Sequence, residues 1–229
     1  MAHPKYTYQQ VAKTIDHSLL KPEMTRDEVK EGCAIAKKYD VASVCCKPAD
    51  VVFCVDLLKG TDVLVGTVVG FPHGSATTST KVFETEQAVK DGATEIDMVL
   101  NIGLLKSGKT AEVQSDIAAV VKAAVGHTVK VILENAYLTD AEKVAGCKAS
   151  ESAGAHYVKT STGYAPTGAT LADIKLMKDS VSPTIKVKSA GGVRTLDSLL
   201  EYMDAGVTRS GASATGAMLD EFVAKFGRD

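Results

Sequence analysis

Two lysines of this sequence lie in neighbouring β-branched runs where they would be buried. Lys159 is in the segment HYVKT (156–160), and Lys188 ends the segment IKVK (185–188). Because successive side chains of a strand point to opposite faces, an outward Val158 turns Lys159 inward. Burial favours the neutral form of an amine, and a second ammonium group nearby lowers its pKa further. The pair therefore predicts an amine that attacks a carbonyl carbon and forms an imine.

A carboxylate on an earlier predicted strand has an equivalent position. Asp97 lies in EIDMV (95–99), five residues after Gly92, and Lys159 follows Gly154 by the same interval. Equal offsets from a helix-ending glycine predict equal heights near the carboxyl ends of the strands. We expect Asp97 to hold a lysine in its charged form or to pass protons through water. A purely structural ion pair is the alternative interpretation.

Four other side chains are candidates for the same polar network. Asp16 and Glu134 stand at the predicted ends of the first and fifth strands. Cys45 points inward if its two neighbours point outward, and packing is the ordinary role of a buried cysteine. Lys186 shares the face of Lys188 one layer deeper, where a bulge or an ion pair would have to accommodate it.

These residues need a scaffold that brings strand ends together, and the chain alternates strand-like with helix-like segments throughout. The predicted strands are Thr14–His17, Val41–Cys46, Leu64–Val69, Glu95–Val99, Val129–Glu134, Tyr157–Thr160, Ile185–Ser189 and Thr208–Gly211. Eight strand–helix units predict a single-domain α/β fold over residues 1–229, a (β/α)8 TIM barrel with a parallel sheet. An open doubly wound sheet is the second choice, but no glycine-rich dinucleotide turn follows the first strand.

Helix boundaries are marked by capping residues. Thr25 with Glu28, and Thr139 with Glu142, have the spacing of a capping box, in which a hydroxyl and a carboxylate satisfy free backbone donors. Four glycines are predicted to end helices in a left-handed conformation: Gly60, Gly92, Gly154 and Gly206.

Two glycine-containing segments follow the last two predicted strands. AGGVR (190–194) comes after the seventh strand, and SGAS (210–213) spans the end of the eighth. Glycines let backbone N–H groups approach an anion, and the following helix adds a favourable dipole. Loops at these places in barrels often bind phosphate, so we expect a phosphate site; ordinary tight turns are the alternative.

Composition excludes several classes of protein. The 229 residues carry a net charge of −2, which does not favour a nucleic-acid partner. No apolar run approaches the ~20 residues that cross a bilayer, and the first residues lack the apolar core of a secretory signal. Five cysteines without a C-x-x-C pair predict neither a disulfide framework nor a metal site, and favour a reducing cytoplasm.

Taken together, these motifs resemble the deoxyribose-phosphate aldolases. The resemblance runs from IDHSLLK (15–21) to Ser213 and is most specific at EIDMV (95–99), VKTSTG (158–163) and VKSAGGVRT (187–195). It implies a class I aldolase, without metal or cofactor, that reversibly cleaves 2-deoxyribose 5-phosphate to acetaldehyde and glyceraldehyde 3-phosphate. The implied partners are these small molecules, with a homodimer left open.

The resemblance also implies roles for individual residues. Lys159 corresponds to the Schiff-base lysine, Lys188 to the lysine that perturbs it, and Asp97 to the proton-relay aspartate. Asp16 and Cys45 correspond to residues that line the substrate pocket. The phosphate-binding positions are Gly163, Gly191, Gly192, Gly211 and Ser213.

Three positions depart from the pattern of the family. Ala214 follows Ser213 where some members have a second serine, which removes one hydroxyl donor. Tyr164 stands where some members have a phosphate-binding lysine. The chain ends in FGRD (226–229), without the terminal tyrosine that assists proton transfer in some relatives.

Two other functions fit the same predicted barrel. A phosphosugar isomerase or epimerase would share the phosphate loops but would need no covalent lysine. A non-catalytic sugar-phosphate binding protein would keep ligand affinity without turnover, and the paired inward lysines argue against it. Fold alone does not decide among these functions.

Overall fold

The computed structural model describes residues 5–228, so the outermost bounds of the predicted domain lie outside the described residues. Eight parallel strands form a closed barrel in sequence order. They are β1 (Ile15–Leu19), β2 (Ser43–Cys46), β3 (Leu64–Val69), β4 (Glu95–Val99), β5 (Thr128–Ile132), β6 (Tyr157–Lys159), β7 (Lys186–Ala190) and β8 (Val207–Ala212). The predicted TIM barrel is confirmed, and the strand bounds differ from the predicted ones by at most two residues.

Helices connect the strands around the outside of the barrel. They are α1 (Tyr8–Ala12), α2 (Arg26–Tyr39), α3 (Val51–Leu58), α4 (Thr78–Lys90), α5 (Ile102–Lys106), α6 (Thr110–Ala123), α7 (Asp140–Ser152), α8 (Leu171–Asp179), α9 (Leu196–Asp204) and α10 (Thr215–Phe226). Short 3₁₀ turns at Pro48–Asp50 and Asn135–Tyr137 precede α3 and α7. Within the described part of the chain, no helix is long and apolar enough to span a membrane.

The helix boundaries follow the predicted capping chemistry. Thr25 with Glu28 begins α2 in a capping box, and Thr139 with Glu142 begins α7 in the same way. The four predicted helix-ending glycines all have positive φ, in a left-handed conformation that costs glycine little. Capped ends fix where each helix begins and ends, and therefore where the next strand enters the barrel.

The apolar core is the layer between the strands and the helices. Val44, Cys46, Val158 and Val187 are fully buried members of this layer. The residues that alternate with them point into the barrel, where apolar side chains usually dominate. Here the inward side chains include several charged groups, so the barrel interior is the candidate location of the active site.

The loop after β3 is held tightly against the end of β4. Gly74 has a φ of +70°, and a Cβ atom built on it would lie 1.9 Å from the carbonyl oxygen of Leu100. Gly108, between α5 and α6, has nearly the same φ of +72° but has no atom within 4 Å of such a Cβ. A comparison of the two glycines therefore distinguishes the cost of left-handed backbone from the cost of a steric conflict.

We predict that Gly74→Ala destabilises the protein more than Gly108→Ala does. Left-handed backbone costs a residue with a Cβ about 1–2 kcal/mol, and steric conflict in a packed site adds about 1–3 kcal/mol. Gly108→Ala should show only the cost of the left-handed backbone. Urea unfolding followed by circular dichroism gives both free energies, and equal losses would contradict the close approach at Gly74.

Candidate active site

The two predicted lysines and Asp97 meet inside the barrel. Lys159 Nζ and Lys188 Nζ each lie 2.7 Å from the same oxygen, Asp97 Oδ2. Lys159 and Lys188 are paired neighbours in the register of β6 and β7. All three side chains are almost completely buried. One carboxylate oxygen is thus shared by two amines that are almost completely removed from water.

Asp16 joins this group from deeper in the barrel than predicted. It is the second residue of β1 and does not lie at the end of the strand. Asp16 Oδ2 is 2.5 Å from Lys188 Nζ, and Ser43 Oγ donates a hydrogen bond of 2.8 Å to Asp16 Oδ1. Lys188 therefore has two carboxylate partners, Asp16 and Asp97.

Three charged residues below the lysine pair were missed from the sequence. Lys130 Nζ lies 2.6 Å from Glu95 Oε2, 3.1 Å from Asp16 Oδ2 and 3.2 Å from Asp97 Oδ1. Arg209 donates from Nε to Asp16 Oδ1 at 2.8 Å, and its guanidinium also contacts the Glu95 carboxylate. These contacts form one buried network with the residues above.

The alternation of side chains along each strand contained the information needed to predict these three residues. Lys130 alternates with Val129 and Val131, which pack outward in the core. Glu95 precedes Asp97 by two residues in β4, and Arg209 precedes Gly211 by two in β8. The alternation that identified Lys159 would have placed all three inward had it been applied to every strand.

In the described part of the chain, the network holds one more cation than it has carboxylates. Its cations are Lys130, Lys159, Lys188 and Arg209, and its carboxylates are Asp16, Glu95 and Asp97. Lys159 contacts one carboxylate, whereas each of the other cations contacts at least two. An unbalanced charge is costly away from water, and the most weakly held proton is the first to leave. This count identifies Lys159 as the cation that is held least firmly in its charged form.

The pKa values of the three central groups follow the same order. Burial lowers the pKa of Lys159, Lys188 lowers it further by repulsion, and the attraction of Asp97 does not compensate. Burial also disfavours the charge on Lys188, but Asp16 and Asp97 outweigh it and raise its pKa. Burial opposes ionisation of Asp97, yet Lys130 and the other two lysines hold its pKa well below the usual value. Among the lysines of the network, Lys159 therefore loses its proton most readily, and it lies beside Lys188 and the Asp97 carboxylate.

Lys186 does not form the deeper inward layer that its position suggested. It begins β7 and is exposed, with its Nζ 5.6 Å from the centre of the Tyr157 ring. The register between β7 and β8 shifts between Val187 and Lys188. Lys130 takes the deeper position instead, from β5, and it has the ion pairs that such a position requires.

A cavity of 710 Å³ opens above the lysine pair at the carboxyl ends of the strands. Nine of the ten predicted site residues line it: Asp16, Cys45, Lys159, Gly163, Lys188, Gly191, Gly192, Gly211 and Ser213. Asp97 is the exception, since it lies behind the two amines. The Cys45 side chain lies inside the barrel as predicted, and burial together with Asp97 raises its pKa to about 11, so the thiol is neutral.

Three glycines in the left-handed conformation and an uncapped helix lie on one side of this cavity. Gly163, Gly191 and Gly192 have φ values of +90°, +79° and +80°. Helix α10 begins after Ala214 without a side-chain cap, so its first N–H groups lack that partner, and Ser213 offers a hydroxyl next to them. Backbone donors at a helix amino terminus favour an anion, and this side of the cavity can bind a phosphate.

Glu134 positions one of these loops and stays outside the lysine network. It lies two residues beyond β5 with a φ of 58°. Its carboxylate accepts a hydrogen bond of 3.2 Å from the backbone N–H of Thr162 and a second from the Thr162 hydroxyl. Thr162 directly precedes Gly163, so Glu134 fixes the loop that leads from Lys159 into the anion side.

Gly211 lies next to the side chain of Lys188. A Cβ atom at this position would lie 3.6 Å from Lys188 Cε and 3.3 Å from the Ala190 Cβ. Gly211 also pairs with Asp16 across β1 and β8. Gly211 therefore lies beside both Lys188 and Asp16, in addition to lining the cavity.

Comparison with known proteins adds to this geometry. The sequence pattern of the DeoC/LacD family of aldolases matches residues 10–220. A deoxyribose-phosphate aldolase of Staphylococcus epidermidis is 55% identical over 203 residues, covering 89% of this chain and 92% of the relative. One from Staphylococcus haemolyticus is 54% identical over the same length and with the same coverage.

Solved structures give the same result. A putative deoxyribose-phosphate aldolase from Coccidioides immitis superposes with a TM-score of 0.92 at 40% identity, over 96% of this chain and 88% of that one. A deoxyribose phosphate aldolase from Aeropyrum pernix, described as tetrameric, has a TM-score of 0.89 at 29% identity over 96% and 93%. From the family match and these relatives, the chain belongs to the DeoC/LacD family of aldolases.

Proposed function

We propose that this protein is a carbon–carbon lyase that reversibly cleaves 2-deoxyribose 5-phosphate to acetaldehyde and glyceraldehyde 3-phosphate through an imine on Lys159. The observation that carries the proposal is the position of Lys159. Among residues 5–228, it is a buried lysine with a single carboxylate partner, in a network that has one more cation than carboxylates. Its amine lines the 710 Å³ cavity, where a carbonyl carbon can reach it.

The first half of the reaction uses the neutral amine. Lys159 Nζ attacks the aldehyde carbon C1 of the open-chain sugar, and the resulting carbinolamine loses water to give a protonated imine. The protonated imine nitrogen carries a positive charge, which the neutral amine did not. Asp97 Oδ2, which lies 2.7 Å from Lys159 Nζ, faces this charge. Charged Lys188 donates a proton to the leaving hydroxyl or keeps it hydrogen-bonded.

The second half breaks the bond between C2 and C3. A base removes the proton of the C3 hydroxyl, the C2–C3 electron pair moves toward the imine nitrogen, and glyceraldehyde 3-phosphate leaves. The enamine that remains is protonated at C2, and hydrolysis of the new imine releases acetaldehyde and regenerates Lys159. We assign these proton transfers to Asp97 and Lys188, which both contact the reacting amine's surroundings, with a bound water as the relay.

Substrate is positioned by the remaining cavity residues. Asp16 and Cys45 line the part of the cavity near the amines. We assign the phosphate group to the side formed by Gly163, Gly191, Gly192, Gly211 and Ser213, with backbone N–H groups and the start of α10 as donors. Placing the phosphate there leaves the aldehyde end for Lys159. We further propose a cytoplasmic protein that acts as a homodimer.

An isomerase or epimerase remains the second candidate for the same cavity. It would use the phosphate side equally well, but it has no need of an amine held by one carboxylate. The lysine chemistry therefore favours the aldolase, and imine trapping separates the two.

We predict that borohydride in the presence of 2-deoxyribose 5-phosphate labels Lys159. Reduction converts the imine to a stable secondary amine, which peptide mass spectrometry locates. Lys159→Ala should lose the label and at least about 10³-fold in kcat, because nucleophile and electron sink disappear together. Lys186→Ala, which removes an exposed lysine of the neighbouring strand, is the matched control and should keep both. Undiminished labelling of Lys159→Ala would rule out the assignment.

Lys188 should control the acidic limb of the pH–rate profile. The rate requires neutral Lys159, whose pKa is lowered in part by Lys188. Lys188→Leu removes that repulsion, so the pKa of Lys159 rises and the acidic limb moves to higher pH. Most activity should be lost at neutral pH and partly regained at alkaline pH. Lys188→Arg keeps the charge with altered geometry, and it should preserve the position of the limb better than the rate.

Thermal unfolding of both Lys188 variants is the control for that measurement, because an inward leucine can stabilise the fold while it removes function. A lowered plateau with an unshifted limb would contradict control by charge. It would instead identify Lys188 as a proton donor or an orienting group.

We predict that chelators leave the activity unchanged. Among residues 5–228, no three histidine, cysteine or carboxylate side chains are grouped in a way that could hold a metal ion. Lys159 supplies the electron sink that a metal would otherwise provide. Activity after dialysis against EDTA, compared with a sample given zinc afterwards, is the measurement; loss followed by recovery with zinc would overturn the prediction.

A further inference from the structure

Tyr164 crosses the mouth of the barrel. It belongs to the loop after β6, and β6 is three strands away from both β1 and β3 in the closed ring. Tyr164 Oη nevertheless donates a hydrogen bond of 2.8 Å to the carbonyl oxygen of Leu20, directly after β1. Its ring meets that of Phe71, after β3, edge to face with centroids 5.5 Å apart and planes at 86°. A side chain that reaches both loops must span the opening.

The backbone that presents Tyr164 is held in place. Its N–H donates to Thr162 Oγ1 at 3.1 Å, and Thr162 is fixed in turn by the Glu134 carboxylate. The phenol is restrained at its other end by Leu20 and Phe71. Tyr164 is thus anchored on both sides of the mouth, although 47% of it remains exposed.

A second cavity lies on the far side of this tyrosine. It has a volume of 560 Å³, and Tyr164, Leu20 and Pro22 line both it and the catalytic cavity. The remaining residues that line it are Lys47, Pro48, Val68, Phe71, Pro72, His73 and Glu84. The two cavities are therefore neighbours with a shared wall, and Tyr164 is part of that wall.

The second cavity suits a hydrocarbon chain better than a phosphate. The glycine loops assigned to the phosphate line only the first cavity. Lys47 already donates to the Met24 carbonyl at 3.0 Å and pairs with Asp50, and Glu84 accepts the N–H of Gly70. With those two charges engaged in the fold, prolines, a valine and a phenylalanine give the cavity its chemical character.

We propose that Tyr164 is a specificity-determining residue that separates the catalytic cavity from an apolar side cavity, and that the side cavity takes the hydrocarbon chain of an aldehyde once this partition is removed. This inference rests on the aldolase function proposed above. The intact partition confines the aldehyde that adds to the enamine to the compartment with the phosphate loops. Short or phosphorylated aldehydes fit there, whereas a long apolar chain has no path into the side cavity.

The test measures the preference between two aldehydes in the synthetic direction, with acetaldehyde as the donor. The ratio of kcat/KM for hexanal to kcat/KM for glyceraldehyde 3-phosphate is determined for each variant. Tyr164→Ala should raise this ratio at least about tenfold, since burying or excluding even one methylene changes discrimination by about 10- to 200-fold. Tyr164→Phe loses the hydrogen bond to Leu20 but keeps the ring on Phe71, so a rise of about two- to threefold is expected.

Two further variants distinguish the partition from a general effect of removing a tyrosine. Tyr137→Ala is the matched control: it is 49% exposed, close to the exposure of Tyr164, and lies outside both cavities. It should leave the ratio unchanged. Adding Pro48→Phe to Tyr164→Ala fills the side cavity from an exposed position and should remove the gain. An unchanged ratio in Tyr164→Ala with an unaltered melting temperature, or a gain that survives Pro48→Phe, would overturn the proposal.

A binding measurement keeps the partition separate from the catalytic proposal. Absence of borohydride labelling in the wild-type protein would refute the aldolase function, whatever the state of Tyr164. Calorimetric titration with 1-hexanol then reads the side cavity directly. Tyr164→Ala should bind 1-hexanol at least about tenfold more tightly than the wild type. Equal affinities would refute the partition even if imine trapping succeeds.

Discussion

The sharing of one carboxylate by two buried lysines is the interaction on which the rest of the site depends. Asp97 Oδ2 contacts both Lys159 and Lys188 at 2.7 Å, and it can stabilise two positive charges only incompletely. Because Lys188 has Asp16 as a second partner, a positive charge on Lys159 is the less stabilised of the two. Lys159, the proposed nucleophile, is therefore the cation of the described barrel interior that has the fewest carboxylate partners.

A barrel interior with buried charges contributes little to stability, so the packing around it has to stabilise the fold. Charges removed from water are stabilised only when geometry and additional hydrogen bonds are good, and apolar residues of similar size often give a more stable protein. Lys130 and Arg209 each bridge more than one carboxylate. Stability instead comes from the apolar layer between the strands and the helices, in which Val44, Val158 and similar residues are fully excluded from water.

The sequence predicted the barrel and the central residues because both depend on local periodicity. Alternation within single strands oriented Lys159, Lys188 and Asp97 correctly, and capping residues located the helices. The depth of a residue within the barrel was harder to predict from the sequence, because it depends on the stagger of the strands, which is a property of the closed sheet. Asp16 was consequently placed too near the mouth, and Lys186 was expected in the layer that Lys130 occupies.

The closed lower layer of the barrel also determines how water reaches the reacting atoms. Glu95, Lys130 and Arg209 are ion-paired and almost fully buried beneath the lysine pair, whereas the cavity above the pair opens at the carboxyl ends of the strands. In the proposed reaction, the water released and consumed in each turnover would pass through the same opening as the substrate. Tyr164 reaches across that opening to Leu20 and Phe71. A sugar bound in the cavity would therefore lie on the path by which water reaches the imine.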